Sequence, residues 1–236
     1  DSNAMKDCKK IEEMKEELKQ SPIFAMSLSS KELFHSNFWA WLFERNVEYI
    51  KIFFADFEFD ENVQKYNGYV EREQKNRDIT VWKSVKLNNR REPVFDKAYI
   101  IENKFKSLPD EEQLKRYQSD IEYSKDKNGN IKIENGEPVK NKEFCEGVIT
   151  GIIKPKFMER QQDSLTNWKF LSYEDIGNAI IETAERIEQE GFEKKIIVEY
   201  GNIIKMLYDL LMKALKDNGE KWNADNKECN DIRIGD

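Results

Sequence analysis

The sequence predicts an α/β (equally, α+β) sandwich in which helices pack on a β-sheet. Three observations carry that prediction. Apolar residues recur with helical spacing in residues 5–60, with strand-like spacing between 66 and 106, and with helical spacing again after 172. Aromatic residues make up 12% of the chain although 36% of it is charged, so it holds the core-forming side chains that disordered chains lack. Its 236 residues suit one domain of ordinary size.

Residues 1–4, ahead of Met5, read as an expression scar, and residues 5–217 read as a single domain. Residues 6–20 form a charged helix pattern with Ile11, Met14 and Leu18, unlike a signal peptide. Ser29-Ser30-Lys31-Glu32 has the form of a capping box, with Ser29 as N-cap and Glu32 reaching back. Leu33, Phe34, Phe38, Trp41 and Leu42, then Tyr49, Phe53 and Phe54, give an apolar stripe wide enough for burial on more than one side. Residues 77–82 alternate and are rich in β-formers. Residues 98–105 read as a second strand, apolar at its start and charged at its end. Asn88-Asn89 and Pro93 lie between the two, which predicts an antiparallel pair joined by a long loop.

A helix is predicted over residues 109–123, entered through Pro109-Asp110. Asn128-Gly129 and Asn135-Gly136 flank Ile131-Lys132-Ile133 and predict a small projecting hairpin. Residues 147–153 form a nearly continuous apolar run, as in a strand buried inside a sheet. One helix is expected from Ser172 to about Gln189, and a longer one from Phe192 to Lys216. Residues 218–236 are polar with little periodicity and read as a tail.

The residue inventory excludes much enzymology. His35 is the single histidine, and Cys8, Cys145 and Cys229 are scattered, so no zinc site has its paired ligands. No P-loop and no nucleophile elbow occurs among the ten glycines. Three separated cysteines fit a reducing compartment, and no apolar run reaches the length of a membrane span, so a cytoplasmic protein is expected. A Ser-His or Cys-His dyad would have to use His35, so chemistry here must rest mainly on carboxylates and lysines.

Asp78, Glu102 and Lys104 are the candidates. Residues i and i+2 of a strand face the same way, so Glu102 and Lys104 project together, about 7 Å apart. If the two strands pair, Asp78 reaches the same place. Two carboxylates at bridging distance make a hard oxygen site suited to Mg²⁺ or Mn²⁺. A lysine beside them positions or deprotonates a water, or neutralises charge on a phosphate. Glu-x-Lys also arises on a solvated sheet edge, but Ile100-Ile101 just before it places these charges at the end of a buried strand.

Arg77-Asp78-Ile79, Ile100-Ile101-Glu102-Asn103-Lys104 and Gln113-Leu114-Lys115-Arg116-Tyr117, in that order, resemble the PD-(D/E)XK nuclease superfamily. Residues 31–42, carrying His35-Ser36, resemble the helix that heads a bacterial and phage branch of it. Residues 168–176 and Glu199-Tyr200 fit that branch's C-terminal half. The resemblance implies a restriction-endonuclease-like fold, a mixed sheet of about four or five strands flanked by helices. It implies Asp78 and Glu102 as metal ligands, the Asn103 backbone carbonyl completing the site, and Lys104 as the catalytic lysine. It makes Gln113 and Tyr117 a Q-x-x-x-Y signature on one helix face that reaches a phosphate or steadies the site. An early helical glutamate, here Glu32, often completes the metal cluster, although a capping box also explains it. His35 reads as a hydrogen-bonded core histidine, and Glu71 and Glu73 as extra acids. Arg77 stands where the motif name has proline, and as a cation it suits a phosphate contact or a neighbouring acid.

The expected activity is divalent-metal-dependent phosphodiester hydrolysis with DNA as the partner. A nuclease-fold module that binds nucleic acid or protein without cutting is the alternative, and a helical interaction protein the third reading; a homodimer is left open. The overall charge of −7 is unlike a nucleic-acid binder, but residues 71–117 hold 12 Lys/Arg against 9 Asp/Glu. Lys83, Lys86, Arg90, Arg91 and Lys97 cluster between the two site strands.

Overall fold

The computed structural model describes residues 13–27, 31–105, 110–159 and 165–217. Residues 13–20 are helical (α1) and lead into α2, Pro22–Ser27. The expected scar, Ser29 and the polar tail lie outside the described residues. Helix α3 spans Lys31–Arg45. Helix α4, Val47–Phe53, begins where the Asn46 side chain accepts the Glu48 N–H at 3.0 Å, satisfying one of the donors a first turn leaves open.

The strands follow. They are β1 (Val70–Gln74), β2 (Arg77–Trp82), β3 (Val85–Leu87), β4 (Pro93–Phe95) and β5 (Lys97–Lys104). Helix α5 is Glu111–Glu122, capped by Asp110, which accepts the Glu112 N–H at 3.1 Å. Next come the short β6 (Ile133–Glu134) and β7 (Glu137–Pro138), then β8 (Glu143–Gly151) and β9 (Trp168–Ser172). Helices α6 (Tyr173–Ile187) and α7 (Phe192–Asp217) close the chain.

Five strands form one mixed sheet in the order β1-β2-β5-β8-β9. The β1–β2 and β2–β5 pairs are antiparallel, whereas β5–β8 and β8–β9 are parallel. Alternation along the strands divides the core between two faces. Ala98 and Ile100 of β5, with Trp82, Ile149 and Trp168, pack against Leu114, Tyr117 and Ile121 of α5. Ile101, with Ile79, Val81 and Val148, packs against the larger cluster of α2, α3, α4, α6 and α7. That second layer is clamped at its rim. Arg45 donates to Glu188 at 2.9 and 2.7 Å and to Glu193 at 2.6 Å, and the buried Tyr49 hydroxyl donates to Glu188 at 2.9 Å. Among the described residues no helix is long and apolar enough to cross a membrane.

The structure departs from the sequence reading in three places. The charged loop between the site strands is itself a hairpin, β3–β4, with Lys86 opposite Val94. Strand β8 begins four residues earlier than its apolar run, and a register shift near Ala98/Tyr99 breaks the alternation there. Strand β9 is an edge strand of five residues whose last member, Ser172, is also the N-cap of α6 in a capping box with Asp175. The helix signal at Ser172 masks the short strand before it.

Gly147 of β8 lies opposite Trp168 of β9, and a Cβ there would stand 2.3 Å from the indole ring. The ring is buried and stacked on Phe144 at 5.5 Å, so it cannot yield without repacking the face under α5. Gly147→Ala is expected to cost about 2–3 kcal/mol in urea denaturation. A cost below about 0.5 kcal/mol, the range of neutral surface changes, would contradict the close packing.

Candidate active site

The β2–β5 ladder runs from Trp82↔Ala98 to Ile79↔Ile101. Carried one residue further, the same register sets Asp78 opposite Glu102. In place of a further backbone bond, the Asp78 carboxylate accepts the Asn103 N–H at 2.6 Å. An ionised acceptor makes this bond short and strong. The β1–β2 turn leads into Asp78 through Lys75 (φ 52°) and Asn76 (φ 63°), the left-handed pair of a tight hairpin turn.

Glu102 and Lys104 share the sheet face that carries α5. Glu102 is 1% exposed. Its Oε1 receives Lys104 Nζ at 2.8 Å and Gln113 Nε2 at 3.0 Å, whereas its Oε2 is buried and has no hydrogen-bond partner among the described residues. The second Gln113 N–H reaches the Tyr117 hydroxyl at 2.5 Å, and that hydroxyl donates to the Asn76 carbonyl. Gln113 and Tyr117 therefore form a relay from the carboxylate, along α5, to the turn that delivers Asp78. They lie on one helix face, as their spacing predicts.

Burial pushes the Glu102 carboxyl up to about 7, and the nearby Asp78 charge adds to the shift against the pull of Lys104. Burial likewise raises Asp78, opposed by the Asn103 N–H and the Lys104 charge. For Lys104, burial alone works downward, but Glu102 and Asp78 outweigh it and the ammonium is held above its ordinary range. Lys104 is thus a cation at neutral pH.

Asn103 is wholly buried and points to the opposite face. Its Nδ2 donates to the Glu32 carbonyl at 3.0 Å and approaches Ser36 Oγ at 3.5 Å. Its Oδ1 accepts from Thr150 at 3.0 Å and from Tyr173 at 2.5 Å. Glu32 is drawn to the same strand end, where its carboxylate accepts the Phe105 N–H at 3.1 Å.

His35 is buried in an aromatic nest, 3.0 Å from the Tyr200 hydroxyl and stacked on Phe105. Arg77 is buried too. Its Nε donates to Thr80 Oγ1 at 3.1 Å, and its Nη1 has no partner among the described residues. Glu73 stands across the β1–β2 pair from Asp78 in a left-handed conformation (φ 52°), and Glu71 faces Thr80.

The basic loop is not at the site. Lys83, Lys86, Arg90, Arg91 and Lys97 lie at the closed end of the β2–β5 pair, whereas the carboxylates stand at its open end. The five strand steps from Lys97 to Glu102 separate them by about 16 Å. A hairpin puts its loop and its strand termini at opposite ends, so sequence proximity to both site strands misleads here. Thr150 and Tyr173 have the converse history. They hold Asn103, yet the sequence marks Thr150 only as a threonine in an apolar run and Tyr173 only as part of the resemblance at residues 168–176, and neither as a partner of Asn103.

A model of the PD-(D/E)XK nuclease superfamily matches residues 22–202, from α2 into the start of α7. The chain belongs to the PD-(D/E)XK nuclease superfamily. No curated protein and no solved structure matches it. The five-stranded mixed sheet flanked by helices is consistent with the restriction-endonuclease-like fold of that superfamily.

PD-(D/E)XK nucleases typically use divalent metals. The donors present fit a hard cation: a buried carboxylate oxygen of Glu102 lacks any partner among the described residues, and Asp78 stands opposite it. Among the described residues no three His, Cys, Asp or Glu side chains converge as a cage.

The Glu102 carboxyl titrates near 7 in the fold against 4.5 ordinarily, so the metal-free protein loses stability as pH rises through that window. Lys104 stays protonated throughout. In EDTA, the stability of Glu102→Gln relative to the parent should therefore rise by about 3 kcal/mol between pH 4.5 and 8, read by urea denaturation. A difference that stays flat with pH would contradict the buried-charge account.

Proposed function

We propose that the chain is a divalent-metal-dependent nuclease of the cytoplasm that hydrolyses phosphodiester bonds in DNA. The observation that carries this reading is the Glu102 carboxylate. One of its oxygens is saturated by Lys104 and Gln113, and the other is buried without a donor opposite Asp78. Desolvating such an oxygen costs free energy unless a cation occupies it.

Asp78, Glu102 and the Asn103 carbonyl would hold the ion, which when bound supplies Lewis-acid polarisation of the scissile phosphate. Lys104, a cation fixed by Glu102, donates to the attacking water and offsets charge gathering on the phosphate, rather than acting as a base. The water oxygen bonds to phosphorus as the bond to the departing sugar oxygen breaks; the water gives up its proton to solvent, and the sugar oxygen takes one up from solvent. Gln113 and Tyr117 keep Glu102 and the Asp78 turn in register. Glu32, engaged with Phe105, braces the strand end.

DNA as the substrate rests on the family resemblance. The second reading is a module of this fold that binds nucleic acid or protein without cutting.

Lys104→Ala and Asp78→Asn should each lower the cleavage rate of plasmid or linear DNA by at least about 10²–10³-fold with an unchanged far-UV spectrum. EDTA should stop the parent, and Mg²⁺ or Mn²⁺ should restore it. Undiminished metal-dependent cutting by either variant defeats the assignment. Binding without cleavage by the parent selects the second reading.

A further inference from the structure

We propose that Tyr173 and Thr150 are positioning residues of the site. Through Asn103 Oδ1 they fix the strand end that aims Glu102 and Lys104 and presents the N–H that holds Asp78. The inference rests on the nuclease reading for its kinetics but not for its geometry.

A side-chain amide has two donors and an oxygen with two lone pairs, and all four are engaged at Asn103. The Glu32 carbonyl can only accept, so Nδ2 must face it. That sets Oδ1 toward Thr150 Oγ1 and Tyr173 OH, which therefore donate. Tyr173, Thr150 and Asn103 have no solvent exposure, so water cannot replace a lost bond. Burial also keeps the Tyr173 hydroxyl protonated, as a donor must be.

The four partners come from three elements: Glu32 and Ser36 from α3, Thr150 from β8 and Tyr173 from α6. Asn103 alternates with Glu102 and Lys104, so an Asn103 side chain locked on the helical face sets the direction of both catalytic side chains on the other. Its N–H to Asp78 carries the same constraint to β2. Neither hydroxyl touches the reacting groups; each acts through Asn103.

The test uses Tyr173→Phe and Thr150→Val, which remove the hydroxyls and keep the shapes, with Thr150→Ser as the conservative rescue. Tyr49→Phe is the control, since it removes a buried tyrosine hydroxyl bond to Glu188 away from the site. Two readouts are taken on the full chain: kcat and KM with Mg²⁺ and DNA, and the amide NMR resonance of Asn103 without metal. Tyr173→Phe and Thr150→Val should each lower kcat about tenfold with KM within about twofold, and should shift the Asn103 amide. Thr150→Ser and Tyr49→Phe should do neither. An Asn103 amide and a kcat unmoved in both deletion variants overturn the proposal, as does an equal kcat loss in Tyr49→Phe. If the parent cuts no DNA, the nuclease reading fails, and the Asn103 amide alone decides the positioning claim.

Discussion

The β2–β5 ladder ends in a bond between a backbone N–H and a carboxylate, Asn103 to Asp78, and the site is built around that substitution. Up to Ile79↔Ile101 the strands pair by backbone alone. One step further the partner is a charged side chain. The bond therefore fixes Asp78, the β2 residue proposed as a metal ligand, and does so from the middle residue of Glu102-Asn103-Lys104. Because strand residues alternate, that middle residue is free to anchor itself in the helical layer while its neighbours face α5. A single residue thus sets the separation of Asp78 from Glu102.

The arrangement demands that charge be buried, and the fold offsets the cost on one side only. Lys104 and Gln113 stabilise one oxygen of Glu102 while the other oxygen is desolvated and unanswered. The raised Glu102 and Asp78 carboxyls report the same imbalance. Local departures from full polar satisfaction of this kind concentrate where function requires them. Helix α5 is the counterweight: its apolar face is core, and Gln113 and Tyr117 on its first turns tie Glu102 to the Asn76 carbonyl.

Much of this was legible in the sequence because the signals are local. A buried strand ending in Glu-x-Lys, an Asp-bearing strand before it and a glutamine and tyrosine one turn apart suffice to order the site along the chain. What stayed hidden is three-dimensional. Thr150 and Tyr173 lie 47 and 70 positions from Asn103, and nothing local marks a hydroxyl as a partner for a distant amide. Strand β9 was eclipsed by the capping signal of the helix that shares Ser172. The basic loop shows the opposite error, since closeness in sequence to both site strands places it at the far end of the sheet.

The central claim is that Asp78 and the orphaned oxygen of Glu102 are the two side-chain arms of a divalent-cation site. Anomalous diffraction from crystals of the protein grown with Mn²⁺ tests it most directly. The account predicts a manganese peak bridging the Asp78 and Glu102 carboxylates, with the Asn103 N–H still on Asp78. A crystal with manganese bound elsewhere, or with those carboxylates turned away from each other and no peak between them, would contradict it.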